Sequence, residues 1–422
     1  MATDPSDIVL DPHDPAGVGL DGVVRDTDPD AAPVVRLVNG IIGNAISMGA
    51  SDIHLEPVQQ GTRVRFRMDG LLVEQMTCPL KLGPALTSRV KVMARLDLAE
   101  RRLPQDGTMD VRLGDKTVHF RVSVLPTGTG ERMVLRVLDK ASYVLDLERL
   151  GFQADDLDRI RRAIEQPTGL ILVTGPKGAG VRSLLYSLLT WLNNADTCIL
   201  TAENPIEINL DGIGQVQVKE ELGYTYAAAL SAFMAQDPDA VMVQELREAE
   251  VARMAVEIAL EQCRVLTSVP AGDSGEAIRK VVELGVQPVL LGAATRLIIA
   301  QRGIRKLCPD CRVGFSPSRE QLETAGVLKL ARREGAGGLA EDLTLYRPGG
   351  CARCGERGYR GRLLVYEILE ATSQIRDAIS SGLPSERIRQ LAIENGMVTM
   401  AENAWRRALE GQTSLEECLK VM

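Results

Sequence analysis

Four short runs, GLILVTG, TCILTAE, AVMVQE and CRVLTSVP, are nearly all apolar, and stretches of helical periodicity such as VRSLLYSLLTWL and AEVARMAVEIAL lie between them. A strand that is apolar on both faces must be covered on both. Strands that alternate with helices join by right-handed crossovers into a mostly parallel sheet. The pattern therefore predicts an open α/β domain over residues 154–304. Ligands of such sheets collect at the carboxyl ends of the strands. The residues that immediately follow each apolar run are thus the ones to examine for chemistry.

The rest of the chain divides by composition. Residues 1–32 are rich in Asp, Pro and Gly and read as a disordered, solvated acidic tail. From Pro33 a helical stripe of Val35, Leu37, Val38, Ile41, Ile42 and Ile46 begins a small α/β domain extending to residue 140. In it, TRVRFRMDGLLVEQM alternates at Val64, Phe66 and Met68, PALTSRVKVMARL reads as a second helix, and TVHFRVSVLPT and ERMVLRVLD read as strands. Residues 141–153 form a linker. Residues 305–370 look irregular and carry paired cysteines, and residues 371–422 read as short amphipathic helices with a turn at Gly396. Aromatic residues make up only 3% of the 422-residue chain, so the cores must rest on Leu, Val, Ile and Ala. A net charge of −8 argues against a dedicated nucleic-acid binder. No apolar run spans a bilayer, since the best stretch, from Val286 to Ala300, is broken by Arg296. No secretory leader is visible at the amino end. The chain is expected to be cytoplasmic, with any membrane association made through a partner.

The Gly-rich run GPKGAGVRS, comprising Gly175, Pro176, Lys177, Gly178, Ala179, Gly180, Val181, Arg182 and Ser183, sits between the first apolar strand and a helix. This is the context of a phosphate loop, where backbone N–H groups at a helix N-terminus surround phosphate oxygens. The first six positions fit GxxxxGK[ST], but Val181 stands in the lysine position and Arg182 in the hydroxyl position. Valine neither carries charge nor donates a hydrogen bond, and arginine repels the magnesium that a hydroxyl would ligate. The glycines alone suit either a phosphate cradle or a purely structural turn. Lys177 and Arg182 either bring positive charge to the loop from other directions or are simply solvated.

Carboxylates follow the neighbouring strands. Glu245 ends AVMVQE, and ENPIE supplies Glu203 and Glu207. One of these can orient or deprotonate a water, or all can be exposed strand caps; their joint appearance favours chemistry. Cys308-Pro-Asp-Cys311 and Cys351-Ala-Arg-Cys354 offer four thiolates in two CxxC units, a pattern that predicts a closed, structural zinc site. Cys78, Cys198, Cys263 and Cys418 read as inert packing residues.

From Pro33 to the C-terminus the chain resembles the traffic ATPases of type II secretion and type IV pilus assembly. The segments that carry the resemblance, in order, are GASDIHLEP, RFRMDG, RLPQDG, RVSVLPTGTGERMVLRVLD, GLILVTGPKGAG, ENPIE, GIGQVQV, QDPDAVMVQELRE, AQRGIRKLCPDC and CARCGERGYRGRLLVYEIL. The resemblance implies a PAS-like N-terminal α/β domain, a RecA-like P-loop NTPase domain, an inserted four-cysteine zinc subdomain and a hexameric ring. It further implies docking at an inner-membrane platform protein, with ATP and Mg²⁺ as ligands and ATP turnover driving assembly of a pilus or pseudopilus. By position, Arg65, Arg67, Arg121 and Arg136 match first-domain arginines, some of which approach nucleotide, and His54 matches the histidine of the SDIH segment. Glu203 and Glu207 match the aspartate box, whose central Asp is Asn204 here. Glu245 and Arg247 match the Walker B segment, whose preceding glycine is Gln244 and whose following aspartate is Glu248. The family histidines fall at Cys263 and Pro270, and a family arginine falls at Ala235.

The departures cluster in turnover functions: phosphate clamp, magnesium hydroxyl, aspartate box and sensing histidine. The cysteines, apolar strands and interdomain arginines remain. The expectation is a hydrolysis-deficient structural or regulatory subunit with weak ATP and Mg²⁺ binding. The alternatives are a functional motor with a non-standard loop, and a zinc-stabilised adaptor outside any ring.

Overall fold

The computed structural model describes residues 8–10, 33–113, 116–138, 145–324 and 343–421. The chain divides into two compact units, Met1–Tyr143 and Val144–Met422. Within the segment expected to be a solvated tail, Ile8–Leu10 (β1) forms a short strand; residues 11–32 lie outside the described residues.

Among its described residues the first unit is a seven-stranded sheet of order β1-β5-β6-β7-β2-β3-β4 with two α-helices. Its elements are α1 (Pro33–Ser47), β2 (Asp52–Val58), β3 (Gly61–Met68), β4 (Leu71–Pro79), α2 (Gly83–Met93), β5 (Gln105–Leu113), β6 (Lys116–Thr127) and β7 (Gly130–Leu138). Every neighbouring pair is antiparallel. Alternation in β3 buries Val64, Phe66 and Met68 with Ile42, Leu86, Phe120 and Leu135, so the pleat directs Arg63, Arg65 and Arg67 to the opposite face.

The second unit is built on a sheet of order β10-β9-β11-β12-β8-β13-β16. Helix α3 (Ala154–Ile164) precedes β8 (Gly169–Thr174), which is buried at every position. Then come α4 (Val181–Leu192), β9 (Ile199–Glu203), β10 (Gly214–Gln217), α5 (Tyr226–Met234), β11 (Ala240–Val243), α6 (Ala249–Glu261) and β12 (Arg264–Val269). Helices α7 (Ser274–Glu283) and α8 (Pro288–Ala294) lead into β13 (Thr295–Leu307). The ladder from β10 to β13 is parallel, as the apolar strand pattern requires. The carboxyl ends of β8, β9, β11 and β12 therefore lie along one edge, followed by Gly175, Asn204, Gln244 and Pro270 respectively.

One expectation is corrected here. Residues 305–370, read as irregular, contain strands β14 (Val313–Phe315), β15 (Leu345–Arg347) and β16 (Tyr359–Glu370). The last runs antiparallel to β13 from the Leu307–Tyr359 pair to the Leu297–Glu370 pair. Its charged, exposed first half hides the strand pattern, whereas Val365, Tyr366, Ile368 and Leu369 are buried. Four short helices follow, with Gly396 in the left-handed conformation at the expected turn. They are tied back by Glu367 on β16, which is fully buried. It accepts from Ser274 N–H (3.0 Å) and Oγ (2.7 Å), from Arg389 Nη2 (2.7 Å) and from Met400 N–H (3.3 Å).

Candidate nucleotide site and metal centre

The loop after β8 is held in place by its neighbours. Thr174 Oγ1 donates to the Val269 carbonyl (2.6 Å) and accepts from Ala271 N–H (2.9 Å), which locks the ends of β8 and β12 together. At Gly175 a Cβ atom would lie 2.4 Å from the Gln301 carbonyl oxygen, so no other residue fits. Gly178 and Gly180 have φ of +78° and +85°, the left-handed region that glycine enters without a steric cost. Gln301 Nε2 donates to the Ala179 carbonyl (2.8 Å), and Arg362 Nη1 donates to the Gly178 carbonyl (3.0 Å). Gly180 is the N-cap of α4, whose first-turn N–H groups have no intrahelical partner and form a generic anion cradle. Neither Gln301 nor Arg362 was singled out from sequence, because neither belongs to the loop motif.

The side chains on this cradle differ from those of an ordinary phosphate loop. Pro176 and Lys177 are exposed. Val181 lies close enough that a Cβ at Gly175 would meet its Cγ2 at 3.4 Å. The guanidinium of Arg182 forms an ion pair with Glu207, so it is neither free nor merely solvated. Burial pulls the Arg182 guanidinium below its ordinary value, against the opposing pull of Tyr186, Glu203, Tyr226 and Glu245. Ser183 is half-buried, and its carbonyl accepts from Ser187 Oγ at 2.8 Å.

The three carboxylates expected around the loop are all engaged. Glu203 is 1% exposed and accepts from Tyr186 Oη, from Thr201 Oγ1 (2.6 Å) and from Gln215 Nε2 (3.0 Å). Burial pushes the Tyr186 phenol well above its usual range, and the adjacent Glu203 charge adds to this, so the hydroxyl stays a donor. Glu207 holds Arg182, and Glu245 accepts from Arg247 Nη2 at 2.9 Å. Gln244 is buried, and its Oε1 accepts from Asn204 N–H and from Tyr226 Oη (3.2 Å), bridging the ends of β9 and β11. A glycine at that position would remove this acceptor. At the two positions where the resemblance implies histidines, Cys263 is buried just before the amino end of β12, where burial pushes its thiol up to about 11. Pro270 follows the carboxyl end and offers only its carbonyl, which accepts from Lys280.

The expected first-unit arginines lie on the polar face of that unit's sheet and are paired there. Arg63, Arg65 and Arg132 converge on Glu56 at 3.0, 2.6 and 2.9 Å. Arg136 and Arg67 reach Asp52 at 2.8 and 3.6 Å, and Arg121 lies 3.7 Å from Asp106. His54 sits among them, buried, with both ring nitrogens unpartnered; burial lowers its pKa despite Asp52, as suits a neutral imidazole.

The cysteines cluster as their spacing predicted. The sulfurs of Cys308, Cys311, Cys351 and Cys354 lie within 4.8 Å of one another. The Cys308–Cys351, Cys311–Cys354 and Cys351–Cys354 separations are 3.8, 3.8 and 3.7 Å. A disulfide needs about 2.05 Å. A tetrahedron with metal–sulfur bonds of about 2.3 Å has edges of about 3.8 Å. The donor set therefore fits a four-coordinate, thiolate-bound metal ion such as zinc. Gly358 N–H donates to Cys354 Sγ (3.1 Å), and Arg353 bridges to Asp310 of the other CxxC unit (3.0 Å). Of the remaining cysteines, Cys78, Cys263 and Cys418 are buried as expected, but Cys198 is exposed.

The model of the family described as Type II/IV secretion system protein matches residues 27–420. This chain belongs to that family. It is 43% identical over 390 residues to the Type IV pilus assembly ATPase PilB of Myxococcus xanthus, covering 92% of this chain and 68% of the relative. It is 40% identical over 392 residues to the Type II secretion system ATPase E of Vibrio cholerae, covering 93% and 76%. The fold matches the Legionella pneumophila ATPase DotB with TM-score 0.65 at 19% identity, covering 93% of this chain and 97% of that one. It also matches the pilus retraction motor PilT bound to ADP with TM-score 0.57 at 23% identity, covering 90% and 96%. The RecA-like α/β architecture expected of the family is thus the one present. Among the described residues, no helix of this Type II/IV secretion system protein is long and apolar enough to cross a membrane.

Proposed function

We propose that this family member is a hydrolysis-deficient structural or regulatory subunit of a pilus or secretion assembly machine. The observation that carries the reading is the Arg182–Glu207 ion pair beside Val181. At the two positions where a phosphate loop presents an ammonium and a magnesium-binding hydroxyl, this one presents an apolar side chain and a guanidinium occupied by a carboxylate. A charge-assisted hydrogen bond contributes roughly 1.5–3 kcal/mol, so losing the lysine alone slows phosphoryl transfer by one to two orders of magnitude, on the order of what that energy converts to. Asn204, Gln244 and Pro270 add changes at three further strand ends.

The same reading assigns zinc to the four-cysteine centre, a hexameric ring built alone or with an intact relative, and a cytoplasmic place at an inner-membrane platform protein. Interdomain use of Arg65, Arg67, Arg121 and Arg136 toward nucleotide belongs to it as well, as do the division into residues 33–140, 154–304, 305–370 and 371–422 and the tail over residues 1–32. Steady-state phosphate release with magnesium-ATP tests the central claim. Release at background is expected; clear turnover that Glu245→Gln abolishes would overturn it.

A further inference from the structure

A divalent cation in a phosphate loop is ordinarily held by a hydroxyl at the start of the helix together with a nearby carboxylate. This site lacks the hydroxyl, and each of its nearby carboxylates already has a partner. The hydroxyl position is Arg182. Glu207 is paired with that guanidinium, Glu203 is filled by Tyr186, Thr201 and Gln215, and Glu245 is held by Arg247. A second cation beside a half-buried guanidinium would meet direct repulsion where solvent screens it poorly. The residues present do not fit Mg²⁺.

They do fit a phosphate. The guanidinium carries five donors, and the ion pair with Glu207 engages it through Nη1, which leaves donors for an anion. It projects from the first turn of α4, beside the cradle pinned by Gln301 and Arg362. We infer that Arg182 takes the place of the metal ion in this site, so that the loop binds a nucleoside di- or triphosphate free of divalent cation. The inference rests on reading the loop as a nucleotide site, and it assigns that site its ligand form. Arg182 neutralises phosphate charge from within the chain, and Glu207 holds it in place when the ligand is absent.

The test is equilibrium binding of fluorescent ADP and ATP analogues to the full chain, in EDTA and in excess Mg²⁺. The wild type is expected to bind with affinities that agree within about twofold in the two conditions. Arg182→Thr, which restores the hydroxyl, is expected to lose about tenfold in EDTA and to regain affinity on adding Mg²⁺. Arg182→Lys keeps the charge and should stay indifferent to metal. Manganese titration followed by electron paramagnetic resonance should show nucleotide-linked Mn²⁺ in Arg182→Thr and none in the wild type. Wild-type binding that Mg²⁺ tightens about tenfold or more overturns the inference, as does a lack of binding in both conditions. If Arg182→Thr does not fold, the wild-type comparison decides alone. Metal-indifferent binding together with turnover would remove the hydrolysis-deficient reading and leave this one standing. Metal-tightened binding without turnover would do the reverse.

Discussion

Replacing Glu203 with alanine distinguishes a carboxylate that holds the site together from one that performs chemistry in it. Its oxygens take donors from three elements: Tyr186 on α4, Thr201 on its own strand and Gln215 on β10. Tyr186 is 1% exposed and Thr201 is fully buried, so water does not replace the lost acceptor for either. Gln215 keeps a second acceptor, the Ile208 carbonyl at 2.9 Å, so its loss is partial. A stranded buried donor costs about 1–3 kcal/mol, and removing the side chain leaves a small cavity as well. The expected cost of Glu203→Ala is roughly 3–5 kcal/mol. Glu203→Gln keeps the shape and one acceptor oxygen and should cost about 1–2 kcal/mol. The chain has two tryptophans, Trp191 and Trp405, and both lie in the second unit, so urea unfolding followed by tryptophan fluorescence reports on the affected unit. A Glu203→Ala protein within about 1 kcal/mol of wild-type stability, but with nucleotide affinity or turnover altered by tenfold or more, would refute the structural assignment.

Three other outcomes follow from the same structure. The double change Val181→Lys with Arg182→Thr should leave magnesium-ATP hydrolysis within about tenfold of background, because Asn204, Gln244 and Pro270 remain; phosphate release measures it. Cys311→Ser or Cys351→Ser should abolish zinc binding, read by a colorimetric chelator after thiol modification, and lower the thermal midpoint of the second unit. Burial raises the carboxyl of Glu367, but hydrogen bonds and charge from Arg389, with help from Ser274, outweigh it and leave the group below the ordinary carboxylate range. A depressed folded pKa contributes stability above the unfolded value of about 4.3 and loses it as pH falls through the folded value. The stability gap between wild type and Glu367→Gln in urea should therefore be full near neutrality and shrink as pH drops below about 4.

Much of the architecture was legible in the chain. Residues such as those of GLILVTG or AVMVQE cannot be solvated on either face, so their burial between helices, and the shared edge at which their carboxyl ends meet, follow from apolar pattern alone. The cysteine cluster was legible for a similar reason: a CxxC turn places two sulfurs together whatever surrounds it, and two such turns complete a shell. The glycines of the loop report their own backbone demands. β16 was not legible, because RGR at its exposed half masks the alternation and its stability comes from β13, far away in sequence.

The sequence by itself determined which residue types stand at the strand ends: Val181 and Arg182 on the loop, Asn204 and Gln244 beside it, and Pro270 after β12. Tertiary structure alone decided what those residues do to one another. Whether Arg182 faced solvent or a carboxylate depended on the path of the chain after β9, which brings Glu207 to it. Glu203 became a filled acceptor because register places Thr201 and Gln215 at its oxygens and a helix places Tyr186 there. Local pattern encodes which side of a strand or helix is buried, since that depends on residue spacing. Pairing between charges depends on which distant elements become neighbours, and that is settled only when the sheet is assembled.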